Sequence, residues 1–187
     1  RWEKGVNWNV GLDFSLFDNR ISGSVNYYNR TQKDLLGDYN VSIPPYLFST
    51  TFVNVGTMKN SGVEVELHGR IFDKKDFSYD VSLVGSTMDN RFISFSNSDY
   101  KGQKYYYVAP TEDPFPFHYL QRIQEGERVG NFYMWKYAGL NSDGEWVIYD
   151  KNGEYKAGMD ATDEDMYVVG NGLPKFTASW SNYLKYK

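Results

Sequence analysis

Glu64 and Glu66 stand two residues apart in the stretch SGVEVELHGR. Two carboxylates on one side of a strand are raw material for general acid–base chemistry. His68 follows at the same spacing, and a hairpin fold would bring Asp80 across from it, so a His–Asp couple can also be drawn. The His–Asp couple reads as a cross-strand hydrogen-bonding pair rather than a dyad, because no nucleophile accompanies it, and the glutamates read as solvated residues. Both alternate with Val63, Val65 and Leu67, as the wet side of a ribbon would. Glu64, Glu66, His68 and Asp80 are therefore read as polar wall residues. No catalytic residue is assigned, and the protein is not expected to be an enzyme.

Other chemistries fare no better. NSDGEW and DKNGEY carry Asp and Asn at spacings loosely like a calcium loop, but the full pattern with a twelfth-position glutamate is absent. Asp143-Gly144 and Asn152-Gly153 fit hairpin turns instead. The acidic run Asp160–Met166 reads as solvated surface. The chain has no cysteine and only two histidines, so no metal site and no cofactor is expected. A net charge of −4 offers no basic stripe for phosphates, so nucleic acid is not expected as a partner. The segment YKGQKYYYVAPTEDPFPFHYL is different. Tyr100, Tyr105, Tyr106, Tyr107, Phe115, Phe117 and Tyr119 could stack on sugar rings or grip a peptide. They could equally pack the loop on itself or dock a partner protein, and that reading is preferred. DYNVSIPPYLFSTTF invites the same comparison with fewer rings.

The elements that carry these residues are strands. NVGLDFSLFDNRISGSVNYYN folds at Asp18-Asn19 into a hairpin with two unlike faces. Leu16 then meets Ile21, Phe14 meets Gly23, Leu12 meets Val25 and Val10 meets Tyr27. Ser15 meets Ser22, Asp13 meets Ser24, Gly11 meets Asn26 and Asn9 meets Tyr28. A second hairpin places Val63, Val65, Leu67 and Ile71 against Phe77, Tyr79, Val81 and Leu83 across an Asp73–Lys75 turn. Its expected register joins Ile71 to Phe77, Leu67 to Val81 and His68 to Asp80. A last strand puts Phe176, Ala178, Trp180, Leu184 and Tyr186 on one face, interrupted by Asn182. Thr31 to Asn60 reads as a long irregular link, and the stretch from about 89 to 172 as a larger excursion with hairpins of its own. Helical periodicity is nowhere convincing.

Two media fit this alternation. A β-sandwich turns its apolar faces inward and its polar faces to water. A transmembrane barrel turns the apolar face to lipid and the polar face to its lumen. Short turns at one end and long loops at the other favour the barrel. So do apolar stripes of roughly 7–9 residues, close to what a tilted strand needs to cross hydrocarbon. In a barrel, Asp13, Arg30, Glu64, Glu66, His68, Arg70 and Asp80 would line the lumen, with Glu64 and Glu66 solvated there or in contact with a plug. Tyr79 and Phe77 at one end, with Trp8 and Tyr27 at the other, would form aromatic girdles.

Further residues point to a family. RWEKGVNWNVGLDFSLFDNRISGSVNYYNRTQKDLL, VNVGTMKNSGVEVEL, EGERVGNFYMWKYAGL and VVGNGLPKFTASWSNYLKYK occur in the order of a segment of the SusC/RagA-type TonB-linked outer-membrane transporters of Bacteroidetes. The chain resembles that segment over most of its length, with Gly172 where the family pattern has a proline. The resemblance implies an all-β fold: an internal fragment, residues 1–187, of a large antiparallel transmembrane β-barrel of 22 strands, the plug domain lying outside it. It implies hairpins about 8–30 and 61–88, an extracellular excursion about 89–172 and a final strand about 174–187. It further implies outer-membrane localisation, import of glycan or peptide oligomers, a SusD-like surface lipoprotein as lid, outer-membrane lipid around the wall, and TonB acting through other regions. A soluble secreted β-sandwich that binds carbohydrate is the alternative, and a surface adhesin a third reading.

Overall fold

In the computed structural model the described residues are 2–97, 99–111 and 119–187. Thirteen strands follow one another: β1 Lys4–Leu16, β2 Ile21–Asn40, β3 Thr50–Lys74, β4 Phe77–Thr87, β5 Asp89–Ser94, β6 Tyr105–Pro110, β7 Tyr119–Gln124, β8 Asn131–Met134, β9 Lys136–Leu140, β10 Trp146–Tyr149, β11 Tyr155–Ala157, β12 Tyr167–Asn171 and β13 Phe176–Tyr186. Among the described residues the helical turns are two short 3-10 turns, Gly158–Asp160 and Asp163–Asp165. Two compact units result: one from residues 1–37, 52–90 and 174–187, the other from 38–51 and 91–173.

The first unit is a wall in the order β1-β2-β3-β4-β13. The hairpin β1–β2 has the register that the alternation predicts: Leu16 faces Ile21, Leu12 faces Val25, Val10 faces Tyr27 and Asp13 faces Ser24. Its turn places Asp18 and Asn19 at positive φ, 53° and 64°. That is the geometry two-residue hairpins favour, and Asp and Asn tolerate it best after glycine. A ring fills the space beside one glycine of the polar face. A Cβ on Gly62 would lie 2.0 Å from the Thr87 carbonyl oxygen and 2.7 Å from the Tyr28 hydroxyl, so only glycine fits between the neighbouring backbone and the ring.

The second hairpin corrects the expected register. The turn is Lys75-Asp76, not Asp73–Lys75, and Leu67 faces Leu83 while Val65 faces Gly85. His68 stands opposite Ser82, and Asp80 stands opposite Arg70. The slip is two residues, a full side-chain period, so every residue above the irregularity keeps its expected face. Near the turn a bulge between Arg70 and Phe72 inserts one residue, which pairs Phe72 with Tyr79 and Lys74 with Phe77. Phe72 thereby joins the apolar side, its ring 5.9 Å from that of Phe77.

β13 pairs along its whole length with β4 and matches Ala178 to Gly85, Trp180 to Leu83 and Leu184 to Tyr79. Asn182, the interruption of its apolar face, accepts a hydrogen bond of 2.7 Å from the Tyr79 hydroxyl. A polar side chain facing hydrocarbon is costly unless so partnered.

The large side chains of the apolar face are not covered. Val10 and Leu12 are each 65% exposed and Trp180 69%. A sandwich would bury them between sheets, and water would not tolerate so continuous a patch. This is the pattern of a barrel wall in lipid.

Thr31–Asn60 is not a long irregular link. β2 continues to Asn40 and β3 begins at Thr50, so the connection shrinks to 41–49. TQKDLLGDYN and TTFVNVGTMKN lack clean alternation because backbone ladders there need no apolar face.

The second unit contains two small sheets, β12-β8-β7-β6 and β11-β10-β9. Among its described residues Ile148 is the most buried at 1% exposure, and Tyr39, Phe92 and Phe95 are also buried. Asn141 Oδ1 accepts from the amides of Asp143 and Glu145 at 3.0 and 2.9 Å, and Asp150 Oδ1 accepts from those of Asn152 and Glu154 at 2.8 and 2.9 Å. NSDGEW and DKNGEY are thus side-chain-stapled hairpin turns whose carboxamide and carboxylate oxygens are already spent. Gly158 lies under the Trp146 indole, where a Cβ would come within 2.1 Å of a ring carbon.

Leu12→Arg should weaken the full-length barrel by about 2–4 kcal/mol, the cost of a guanidinium at mid-bilayer. Ser15→Arg, on the other face, should cost under about 1 kcal/mol. Urea unfolding in bilayers compares the two. Tyr79→Phe should cost about 1 kcal/mol by stranding the Asn182 amide, and Asn182→Leu in the same background should recover it.

Candidate functional site

Two groups of side chains were expected to carry function. The first is the charged set of the wall. Strand alternation places Asp13, Arg30, Glu64, Glu66, His68, Arg70 and Asp80 on the polar face, opposite the apolar band. They do not converge. Near the tight turn Arg70 Nε lies 3.3 Å from Asp80 Oδ1 and Arg70 Nη1 lies 3.3 Å from Asp73 Oδ2. His68 Nδ1 is 3.1 Å from the Ser82 hydroxyl, and its Nε2 is 3.6 Å from Asp80 Oδ1. The His–Asp contact is thus a diagonal one, at a distance beyond a hydrogen bond, because the two-residue register change puts Asp80 across from Arg70. Farther from that turn, Asn7, Trp8, Asn9, Asn26, Tyr28, Arg30 and Glu64 line a mainly polar cleft. Arg30 sits 5.5 Å over the Tyr28 ring. The asparagines were missed from the sequence because single carboxamides on a strand carry no spacing signal.

The second group is the tyrosine-rich segment, and its members divide by strand parity. Tyr105 and Tyr107 alternate with Tyr106 along β6, so the first two share a face and the third takes the opposite one. Tyr106 packs edge-on against Phe95 at 5.2 Å, and Phe95 stacks on Phe92 at 4.0 Å. Burial there pushes the Tyr106 phenol above its ordinary pKa. Tyr100 packs edge-on against Tyr39 at 5.2 Å, and a hydrogen bond with Tyr46 raises its pKa. Tyr100 and Tyr106 are therefore internal packing residues.

Tyr105, Tyr107 and Tyr119 form an open face. Tyr107 stacks on Tyr119 at 5.4 Å and lies 5.5 Å from Tyr105. Arg122 projects beside them, with its guanidinium 4.9 Å from the Tyr105 ring centre and 3.4 Å from that of Tyr133. A cation held between two rings fixes all three side chains at little entropic cost on binding. Arg122 and Tyr133 were not singled out from the sequence, since β7 and β8 show no alternation long enough to read. Phe115 and Phe117 lie outside the described residues.

The acidic run is occupied by structure rather than left open. Asp165 Oδ2 accepts from Lys156 Nζ at 2.7 Å and from the Thr162 amide and hydroxyl at 2.9 Å each. Lys156 first, then the Thr162 amide, holds the carboxyl down to a pKa of about 2. No cluster of three or more potential metal ligands exists among the described residues.

One apolar exposed face, one charged face, short turns and strands that pair throughout define a section of transmembrane β-barrel wall. The chain belongs to the TonB dependent receptor-like β-barrel family, whose model matches residues 1–186. It is 29% identical over 204 residues to "TonB-dependent receptor P3" of Formosa agariphila, a match that takes in all of this chain and 19% of P3. It is 26% identical over 174 residues to "TonB-dependent receptor SusC" of Bacteroides thetaiotaomicron, covering 92% of this chain and 15% of SusC. Among solved structures, the RagAB peptide transporter aligns over the whole chain with a TM-score of 0.77 and 26% identity, across 20% of that chain. The RagAB peptide importer in its open-open state gives a TM-score of 0.79, also at 26% identity, across 19% of that chain. This chain thus spans about a fifth of the length of these relatives. Its fold is that of an outer-membrane barrel wall.

The ion pair of Asp165 gives a pH test. Its carboxyl is depressed from 3.8 to about 2, so its stabilising contribution is complete above pH 4 and is lost as pH falls through 2. A carbon-13 titration of labelled aspartate in the full-length protein, with the Asp165 resonance assigned by Asp165→Asn, should place its midpoint near 2. Lys156→Ala should move that midpoint upward.

Proposed function

We propose that these residues are part of an energy-coupled importer that moves glycan or peptide oligomers across the outer membrane. The observation that carries the reading is the wall itself, with its apolar band exposed on one side and charged residues on the other. Family membership, and the names of SusC and RagAB, support transport over adhesion or a free carbohydrate-binding module. In this reading the tight turns at Phe17–Arg20 and Lys75-Asp76 face the periplasm and the long connections face outside. Asp13, Arg30, Glu64, Glu66, His68, Arg70 and Asp80 then line the lumen, where they stay hydrated and interact with whatever fills it. A SusD-like lipoprotein forms the lid, and TonB supplies energy through other parts of the protein. Binding and translocation, not bond-making, are the activity.

Of the tyrosines, Tyr105, Tyr107 and Tyr119 are assigned to contact with lid or cargo. Their rings are open on one side; Arg122 stiffens Tyr105, and Tyr107 packs against both Tyr105 and Tyr119. Uptake by cells expressing the full-length protein, offered labelled oligosaccharide and oligopeptide panels, tests both claims. The triple change Tyr105→Ala, Tyr107→Ala, Tyr119→Ala should lower uptake about tenfold, since roughly 1.4 kcal/mol of lost binding is a tenfold effect. Surface abundance should stay unchanged. Co-purification of the lipoprotein separates lid contact, where it falls with uptake, from cargo contact, where it does not. Extraction of the protein into buffer without detergent would overturn the importer reading.

A further inference from the structure

The apolar face of the wall is not uniformly rough. Across β3, β4 and β13 its side chains fall into rows, because directly opposed residues share a face. One row is Leu67, Leu83 and Trp180, bulky throughout. The next, two residues along each strand, is Val65, Gly85 and Ala178. Beyond it Phe176 pairs with Thr87, and Val63 stands on β3. Gly85 and Ala178, set between the Leu67–Leu83–Trp180 row and the Phe176 ring, leave an open, mainly apolar trough. It crosses three strands, so it is about 10 Å long at the usual strand spacing.

We infer that this trough is a binding site for one acyl chain of an outer-membrane lipid. The occupant follows from where the trough lies. It is continuous with the band that faces hydrocarbon, and its lining is mainly apolar, with the Thr87 hydroxyl engaged by the Val63 amide. Gly85 lies eight residues from Phe77 at the tight-turn end of β4. A strand tilted near 45° climbs about 19 Å over that distance, out of a hydrocarbon thickness of about 30 Å. The trough therefore opens to the leaflet farther from the tight turns. Trp180 and Leu83 form one bank and Phe176 the other, rigid side chains that lose little freedom when a chain settles between them. Elsewhere on the same face no such gap occurs in β1, where Val10, Leu12, Phe14 and Leu16 follow one another. Lipid there meets a continuous ridge and exchanges freely.

The site can be filled without disturbing the backbone. A Cβ on Gly85 would meet Phe176 ring carbons at 3.6 and 3.8 Å, ordinary contact distances. Gly85→Val together with Ala178→Leu therefore occupies the trough from within. The test uses the full-length protein with a photo-crosslinking residue at Leu83 or, for comparison, at Leu12. Membranes are solubilised, exchanged into excess detergent and irradiated, and the adducts are identified by mass spectrometry. A lipid adduct should persist at Leu83 through the exchange, while Leu12 should yield detergent adducts alone. The filled variant should lose at least about nine-tenths of the Leu83 lipid adduct and still run as a folded barrel on unheated gels. Detergent adducts at both positions would overturn the proposal, as would a lipid adduct at Leu83 that the filled variant retains. A protein adduct at Leu83 would overturn it in favour of a second chain seated on the trough.

Discussion

Hydrocarbon cannot hydrogen-bond a peptide group, and the rest of this wall follows from that. Every amide and carbonyl crossing the membrane needs a partner on a neighbouring strand. The ladders β1–β2, β3–β4 and β4–β13 supply those partners residue by residue. Once the backbone is committed to strands, the period of two decides the rest: one face must suit lipid and the other water. The Tyr79–Asn182 hydrogen bond obeys the same rule one level up. A carboxamide on the apolar face is tolerated because a neighbouring phenol answers it.

The second unit is built under a different constraint. Its strands are short, so side chains do the stapling that long ladders do in the wall. Asn141 and Asp150 close turns by accepting two backbone amides each, and Asp165 gathers Lys156 and both donors of Thr162. Aromatic rings make up most of what core there is, with Phe92, Phe95 and Tyr106 in one cluster. The tyrosine richness of the sequence thus serves two ends. Tyr100 and Tyr106 hold the unit together, while Tyr105, Tyr107 and Tyr119 present rings to whatever approaches.

The wall was legible where side chains alternate and the turn is sharp. Asp18-Asn19 anchors the first hairpin, and each pair counted from it meets in the fold. The second hairpin shows the limit. Asp73, Lys74, Lys75 and Asp76 are four turn-compatible residues in a row, so the turn could not be placed within them, and the faces survived only because the error was even. Extensions of β2 and β3 past the apolar band were illegible, since backbone pairing there leaves no trace in hydropathy. Among the candidate residues, the division of the tyrosines needed the structure. Parity separates Tyr106 from Tyr105 and Tyr107, but which side of β6 is covered depends on Phe92 and Phe95, some ten residues back in the chain. The pairing of Arg122 with Tyr105 and Tyr133 depends likewise on which strands become neighbours.

The bulge beside Ile71 bears on how such a wall tolerates change in length. A residue gained in a regular strand would invert every side chain between the insertion and the strand's end, and lipid would meet carboxylates. Here the additional residue lies within a few positions of the turn, so only Phe72 to Lys74 change sides, and they are an aromatic, a carboxylate and a lysine at the water's edge. The discontinuity acts as an expansion joint: errors of count collect where either face is acceptable, and the rows above remain in phase.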